Sequence, residues 1–175
     1  MRYLLMCEGK NEETLINLLL DNDLLKITRD DLIGMRPWNV RQLKNSVIKT
    51  ELRHYNQPVI IYRIGDTQKD HLKIPPDLND IVFEEKIYRY CTKPELEILL
   101  IINEGLMTKY YKSKKRPKDF AKEHIKLNGM KYDQSSMFLW NYYRRDIMML
   151  VDNLKEYRRM KKNKSNELYL ADLLK

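Results

Sequence analysis

Three acidic residues stand where an acid is costly unless it has a partner. Glu8 follows the apolar run Arg2–Cys7 (RYLLMC), and Asp66 comes one glycine after the β-branched run Val59–Ile64 (VIIYRI). Glu97 comes shortly after a third such run, KIYRYC at 86–91. A carboxylate at the end of a buried strand is expensive without compensation. Three of them at one edge repel one another unless a cation sits between them. Hard oxygen donors of this kind suit Mg²⁺ or Mn²⁺. Glu12 lies four residues after Glu8 and falls in the first turn of a helix opened by Asn11, where it can face the same point. Asp70, four residues after Asp66, adds a loop carboxylate. The helix dipole alone accounts for acids such as Glu12, Glu13 and Glu95. It does not account for Glu8 and Asp66.

The elements that must position these acids follow from the pattern of apolar residues. Residues 2–7 read as a short buried strand, and a helix runs from Asn11 to Leu20 with Asn11 as its N-cap. Residues 32–38 hold a second strand, interrupted at Pro37. Val40, Leu43, Val47 and Leu52 space out a helix to Tyr55, which Pro58 stops. Strands at 59–64 and 86–91 follow, with an irregular Pro75-Pro76 loop between them. Pro94 sits at the start of a helix over 95–105. The order β-α-β-α-β-β-α makes the fold class α/β. In an open α/β sheet, sites form at the carboxyl ends of the strands.

Beyond residue 105 the pattern is helical. A short helix covers 118–127 after Pro117. Leu139, Tyr143, Ile147, Leu150, Leu154 and Tyr157 keep one helical period over 136–160. Trp140, Tyr142 and Tyr143 are expected to pack this helix on the sheet, with Met148 and Met149 in the core. Residues 168–174 form a last amphipathic turn. The division is therefore an α/β domain over 1–105 and a basic helical extension over 106–175.

Charge is divided in the same way. Residues 1–100 hold 15 basic and 16 acidic residues, net −1, and residues 101–175 hold 18 and 9, net +9. Such asymmetry points to a polyanion, nucleic acid above all. The run KYYKSKKRPK at 109–118 offers Lys109, Lys112, Lys114, Lys115, Arg116 and Lys118 with two tyrosines among them. That mixture can grip phosphates and stack on bases. A second run, at 155–164, contains Arg158 and Arg159.

Other chemistries are excluded or weak. Apolar runs such as 98–102 are far shorter than the roughly 18 residues of a membrane span. No signal peptide is legible, and two cysteines, Cys7 and Cys91, make neither a disulfide framework nor a zinc set, so a reducing cytoplasm is expected. The three histidines, His54, His71 and His124, are not spaced as zinc ligands. His71 is close enough to Asp66 in sequence to shuttle a proton, although a surface histidine is the simpler reading. There is no phosphate-binding G-x-x-x-x-G-K-[ST] loop.

Taken together, the three segments resemble the Toprim domain. An apolar strand followed by Glu8-Gly9-Lys10-Asn11-Glu12 is similar to its opening E-G-x-x-[DE]. The strand ending in Asp66 looks like the one that carries its D-x-D motif. Lys93-Pro94-Glu95-Leu96-Glu97 with the aliphatic run after it looks like the P-x-x-E of OLD and RloB-like nucleases in prokaryotic anti-phage and mobile-element systems. The resemblance covers about residues 1–105. It departs at Asp66-Thr67-Gln68, where Gln68 replaces the second acid of D-x-D.

The resemblance implies a Rossmann-like, mostly parallel sheet and a Mg²⁺- or Mn²⁺-dependent nuclease acting on DNA or RNA. Asp66 would be the primary ligand and Glu8 a ligand or general base. Glu12, Glu97 and Asp70 would complete the metal set, and Lys10 would neutralise the transition-state phosphate. A separate ATPase partner is implied as well. Two alternatives stand beside it. One is a catalytically degenerate nucleic-acid-binding module, which Gln68 favours. The other is a regulatory or assembly subunit that self-associates through the helix at 136–160.

Overall fold

The first strand, β1 (Arg2–Cys7), is buried on both faces from Leu4 onward. Leu4 and Met6 face one core with Ile48 and Leu52, and Leu5 and Cys7 face another with Leu15, Ile16 and Leu19. Burial on both faces is why the strand reads as an unbroken apolar run. The computed structural model describes residues 1–66, 71–92, 96–161 and 167–175.

Helix α1 (Lys10–Asp21) is capped two residues earlier than the sequence predicts. Gly9, in extended conformation, is its N-cap, so Asn11 lies inside the first turn and its side chain donates to the Gln134 carbonyl at 3.4 Å. A 3₁₀ turn, Arg29–Asp31, precedes the expected strand at 32–38, which is itself replaced by a second 3₁₀ turn, Ile33–Met35, and a two-residue strand β2 (Trp38–Asn39). Asp31 accepts from both the amide and the hydroxyl of Thr28 at 2.8 Å and closes the first turn, and Gly34 takes a φ of 68°, so the chain coils where an extended run was expected. Helix α2 (Ser46–Tyr55) begins well after Val40. The Asn45 side chain accepts from the Val47 and Ile48 amides and sets that start.

Strands β3 (Val59–Gly65) and β4 (Val82–Cys91) follow, β4 being longer at its start than its sequence signal. Helix α3 (Glu97–Asn103), helix α4 (Met107–Ser113) and helix α5 (Pro117–His124) come next. The helix expected to reach Leu127 stops at His124. Strands β5 (Lys126–Leu127) and β6 (Met130–Lys131) pair there as a hairpin around Asn128-Gly129, both at positive φ. Asn-Gly is the strongest short-range signal for such a turn.

The long helix expected over 136–160 is two, α6 (Ser136–Tyr143) and α7 (Ile147–Met160). Asp146 caps the second by accepting from the Met148 amide at 3.0 Å. Met148 is consequently exposed, not core, and α6 lies against α1 with Trp140 partly in solvent. The last segment departs from expectation as well. Strand β7 (Leu168–Tyr169) pairs in parallel with Tyr90–Cys91, so the C-terminal part adds a fifth strand to the sheet.

The described residues thus form an α/β fold with seven α-helices and a five-stranded parallel sheet, ordered β2-β1-β3-β4-β7. From β1 the chain crosses through α1 to β2 on one side, then through α2 to β3 on the other. The two helices pack on opposite faces. The crevice between the ends of β1 and β3 is the topological switch point, where ligands bind in open α/β sheets.

Candidate functional site

The register aligns Cys7 with Ile64 and Gly65 with Cys91. The ladder runs one residue further at both strands: the Glu8 amide donates to the Ile64 carbonyl at 2.9 Å and the Thr92 amide to the Gly65 carbonyl at 3.0 Å. Since all strands are parallel, Glu8, Asp66 and Thr92 share the carboxyl edge, with Glu8 and Asp66 flanking the switch point.

Glu8 is held from two sides. Its side chain lies across Gly65, where a methyl group would collide with it. Arg41, just beyond β2, reaches back to its carboxylate at 3.1 Å, leaving the Glu8 side chain 14 % exposed. Glu12, in the first turn of α1, lies over Gly9 in the same manner. Glu97, the first residue of α3, is 8 % exposed and accepts from the Tyr132 hydroxyl at 2.8 Å. Burial pushes the Glu12 pKa up, and the negative charges of Glu8, Asp66 and Glu97 push it further, partly opposed by a backbone hydrogen bond. Four carboxylates therefore share one electrostatic field.

Asn11, Glu12, Asp66, Thr92, Glu97 and Lys118 line an open cleft of about 200 Å³. Lys118, in the first turn of α5, is the described basic residue that enters it. The Thr92 hydroxyl is buried without a hydrogen-bond partner at its wall. Among the described residues no group of three His, Cys, Asp or Glu side chains is placed to hold a metal ion. The donor chemistry nonetheless fits a hard divalent cation. Glu12, Asp66 and Glu97, which line the cleft, are the carboxylates that a cation entering it would meet.

The remaining residues singled out in the sequence lie elsewhere. Lys10 pairs with Glu13 at 2.9 Å. Asp70 and Gln68 fall outside the described residues. Lys109, Lys112 and Lys114 are exposed on α4 and the turn after it. Lys115 pairs with Glu123, Arg116 with Asp119, Arg158 with Asp172 and Arg159 with Glu156. His71 is exposed, and His124 stacks on Phe120 at 4.1 Å, a packing role. Arg41, Thr92 and Tyr132 escaped the sequence reading. Each enters through a neighbour brought close only by the fold, and none carries a local signal.

No family model, no curated protein and no solved structure matches this chain.

Proposed function

We propose that the protein is a metal-dependent phosphodiesterase of Toprim type that cuts nucleic acid. The observation that carries this reading is the gathering of Glu12, Asp66 and Glu97 around one cleft at the carboxyl edge of a parallel sheet, with Glu8 beside it at the end of β1. A bound Mg²⁺ or Mn²⁺ would supply Lewis-acid stabilisation of the phosphoryl oxygens and a bound water of lowered pKa. Asp66, Glu12 and Glu97 would hold the ion. Glu8, fixed by Arg41, accepts or returns the proton of the attacking water. Lys118 binds a phosphate oxygen from across the cleft. The exposed lysines of α4 lie along the flanking strand and position it without reading its sequence.

A second reading, binding without cleavage, is favoured by one observation. The ion pair with Arg41 engages the carboxylate that would act as base.

The test is cleavage of plasmid DNA and of total tRNA in Mg²⁺ or Mn²⁺ by wild type, Glu8→Ala and Asp66→Ala. Cleavage by wild type that falls about 100-fold or more in both variants is expected, and it also names the substrate. Three inert proteins that all bind nucleic acid would move the assignment to the binding module. Equal cleavage by all three would overturn the site.

A further inference from the structure

The geometry points to a base-stacking subsite on Trp140, next to the carboxylate cleft, that takes an unpaired nucleobase of the bound strand; this rests on the nucleic-acid reading above. Trp140 is one of two tryptophans in the chain and stays 38 % exposed, whereas Trp38 is buried with its indole N–H donating to the Ile33 carbonyl at 2.9 Å. A large indole left in solvent beside a polar site calls for a ligand more than a scattered surface leucine does.

Trp140, Met137, Ser136 and Thr14 line an open pocket of about 270 Å³ between α6 and α1. It adjoins the cleft. Asn11 lines the cleft and donates to the Gln134 carbonyl, and Ser136 is two residues beyond Gln134. Thr14 is one turn along α1 from Asn11, about 4.5 Å of helix rise. One hydrogen-bonded bridge therefore separates the two cavities, and a strand with a phosphate at the carboxylates passes over it.

The chemistry of the pocket fits a nucleobase. The indole offers a stacking surface, and the Arg144 guanidinium lies over it at 4.1 Å from the ring centroid. A cation held against a stacking ring can meet the phosphate next to the stacked base. Met137, exposed beside it, adds a polarisable apolar wall, and the hydroxyls of Ser136 and Thr14 stand at the rim. Stacking is tolerant of sequence, because every base has a π-face. A paired base has both faces covered by its neighbours, so the subsite selects single-stranded or unpaired segments.

The test uses full-length protein in EDTA, so that no cleavage competes, with end-labelled oligothymidylate and an abasic oligonucleotide of equal length. Fluorescence anisotropy reports binding, and tryptophan emission reports stacking. Expected are quenching of wild-type emission by oligothymidylate, its absence with the abasic strand, and its absence in Trp140→Phe read through Trp38 alone. Trp140→Leu should bind oligothymidylate about 5- to 100-fold more weakly. Binding to wild type without quenching, at an affinity that Trp140→Leu retains, overturns the subsite and leaves the nuclease reading standing. Absence of binding to either strand, in EDTA and again with Ca²⁺ in its place, overturns both.

Discussion

The carboxylate of Glu8 occupies the space where Gly65 would carry a side chain. A Cβ built on Gly65 would stand 2.7 Å from Glu8 Cβ and closer still to Oε2. The two residues sit side by side at the ends of β1 and β3, and the glycine is what lets the acid turn inward over the switch point. Gly65→Ala is therefore expected to remove cleavage as thoroughly as Glu8→Ala, with a stability loss of about 1–3 kcal/mol from overpacking. At Gly9 the nearest atom is Oε2, at the far end of the Glu12 side chain, at 2.8 Å, and the next lies at 3.8 Å. Gly9→Ala should cost under about 1 kcal/mol and keep most of the activity. Urea midpoints with paired cleavage assays decide it, and equal effects at the two glycines would contradict the steric account.

Tyr132 holds Glu97 through a buried hydrogen bond and packs edge-on against Phe138 at 5.1 Å. Tyr132→Phe keeps the ring and deletes the donor, leaving a buried acceptor short of a partner. A loss of about 1–3 kcal/mol in denaturant unfolding is expected. The same substitution made on a Glu97→Leu background should cost much less. An identical cost on both backgrounds would show that the hydroxyl does not serve Glu97.

Glu12 makes stability depend on pH in a direction opposite to a salt-bridged acid. Its native pKa is raised by burial and by the charges of Glu8, Asp66 and Glu97, above the ordinary value of 4.5. Between the two values the native state binds more protons than the unfolded one, so stability falls as pH rises through that window. Glu12→Gln should raise the melting temperature at pH 8 in EDTA and change little at pH 4. Each kcal/mol recovered would appear as about 2–4 °C. Mg²⁺ should stabilise wild type more than Asp66→Ala at pH 8. A Glu12→Gln effect of the same size at both pH values would remove the electrostatic explanation.

Lys118 and Arg158 should separate by salt dependence. Lys118 lines the cleft, so Lys118→Ala is expected to weaken nucleic-acid binding across sequences and to lower the salt slope by about 1. Arg158 bonds Asp172 and lies over the Tyr169 ring at 4.8 Å. Arg158→Ala should lower the melting temperature and leave the slope unchanged. A slope that changes with Arg158 and not with Lys118 would move the nucleic acid to the other end of the basic surface.

Strands β1, β3 and β4, the acids at their ends and the α/β class were legible because burial and alternation are local properties of a chain. Pro58 and Pro117 punctuate in the sequence as they do in the structure. Another local signal lies inside an apolar period that hides it: Asp146 interrupts the period running from Leu139 to Tyr157, and its side chain, accepting from the Met148 amide, is enough to break the helix in two.

What surrounds the acids belonged to the tertiary structure. Arg41 meets Glu8 across 33 residues, Tyr132 meets Glu97 across 35, and Asn11 meets Gln134 across 123. Periodicity says which face of an element is buried and nothing about which other element covers it. Strand order and helix packing choose those partners. They decide which acid is neutralised, which is left to repel its neighbours, and which tryptophan remains at the surface.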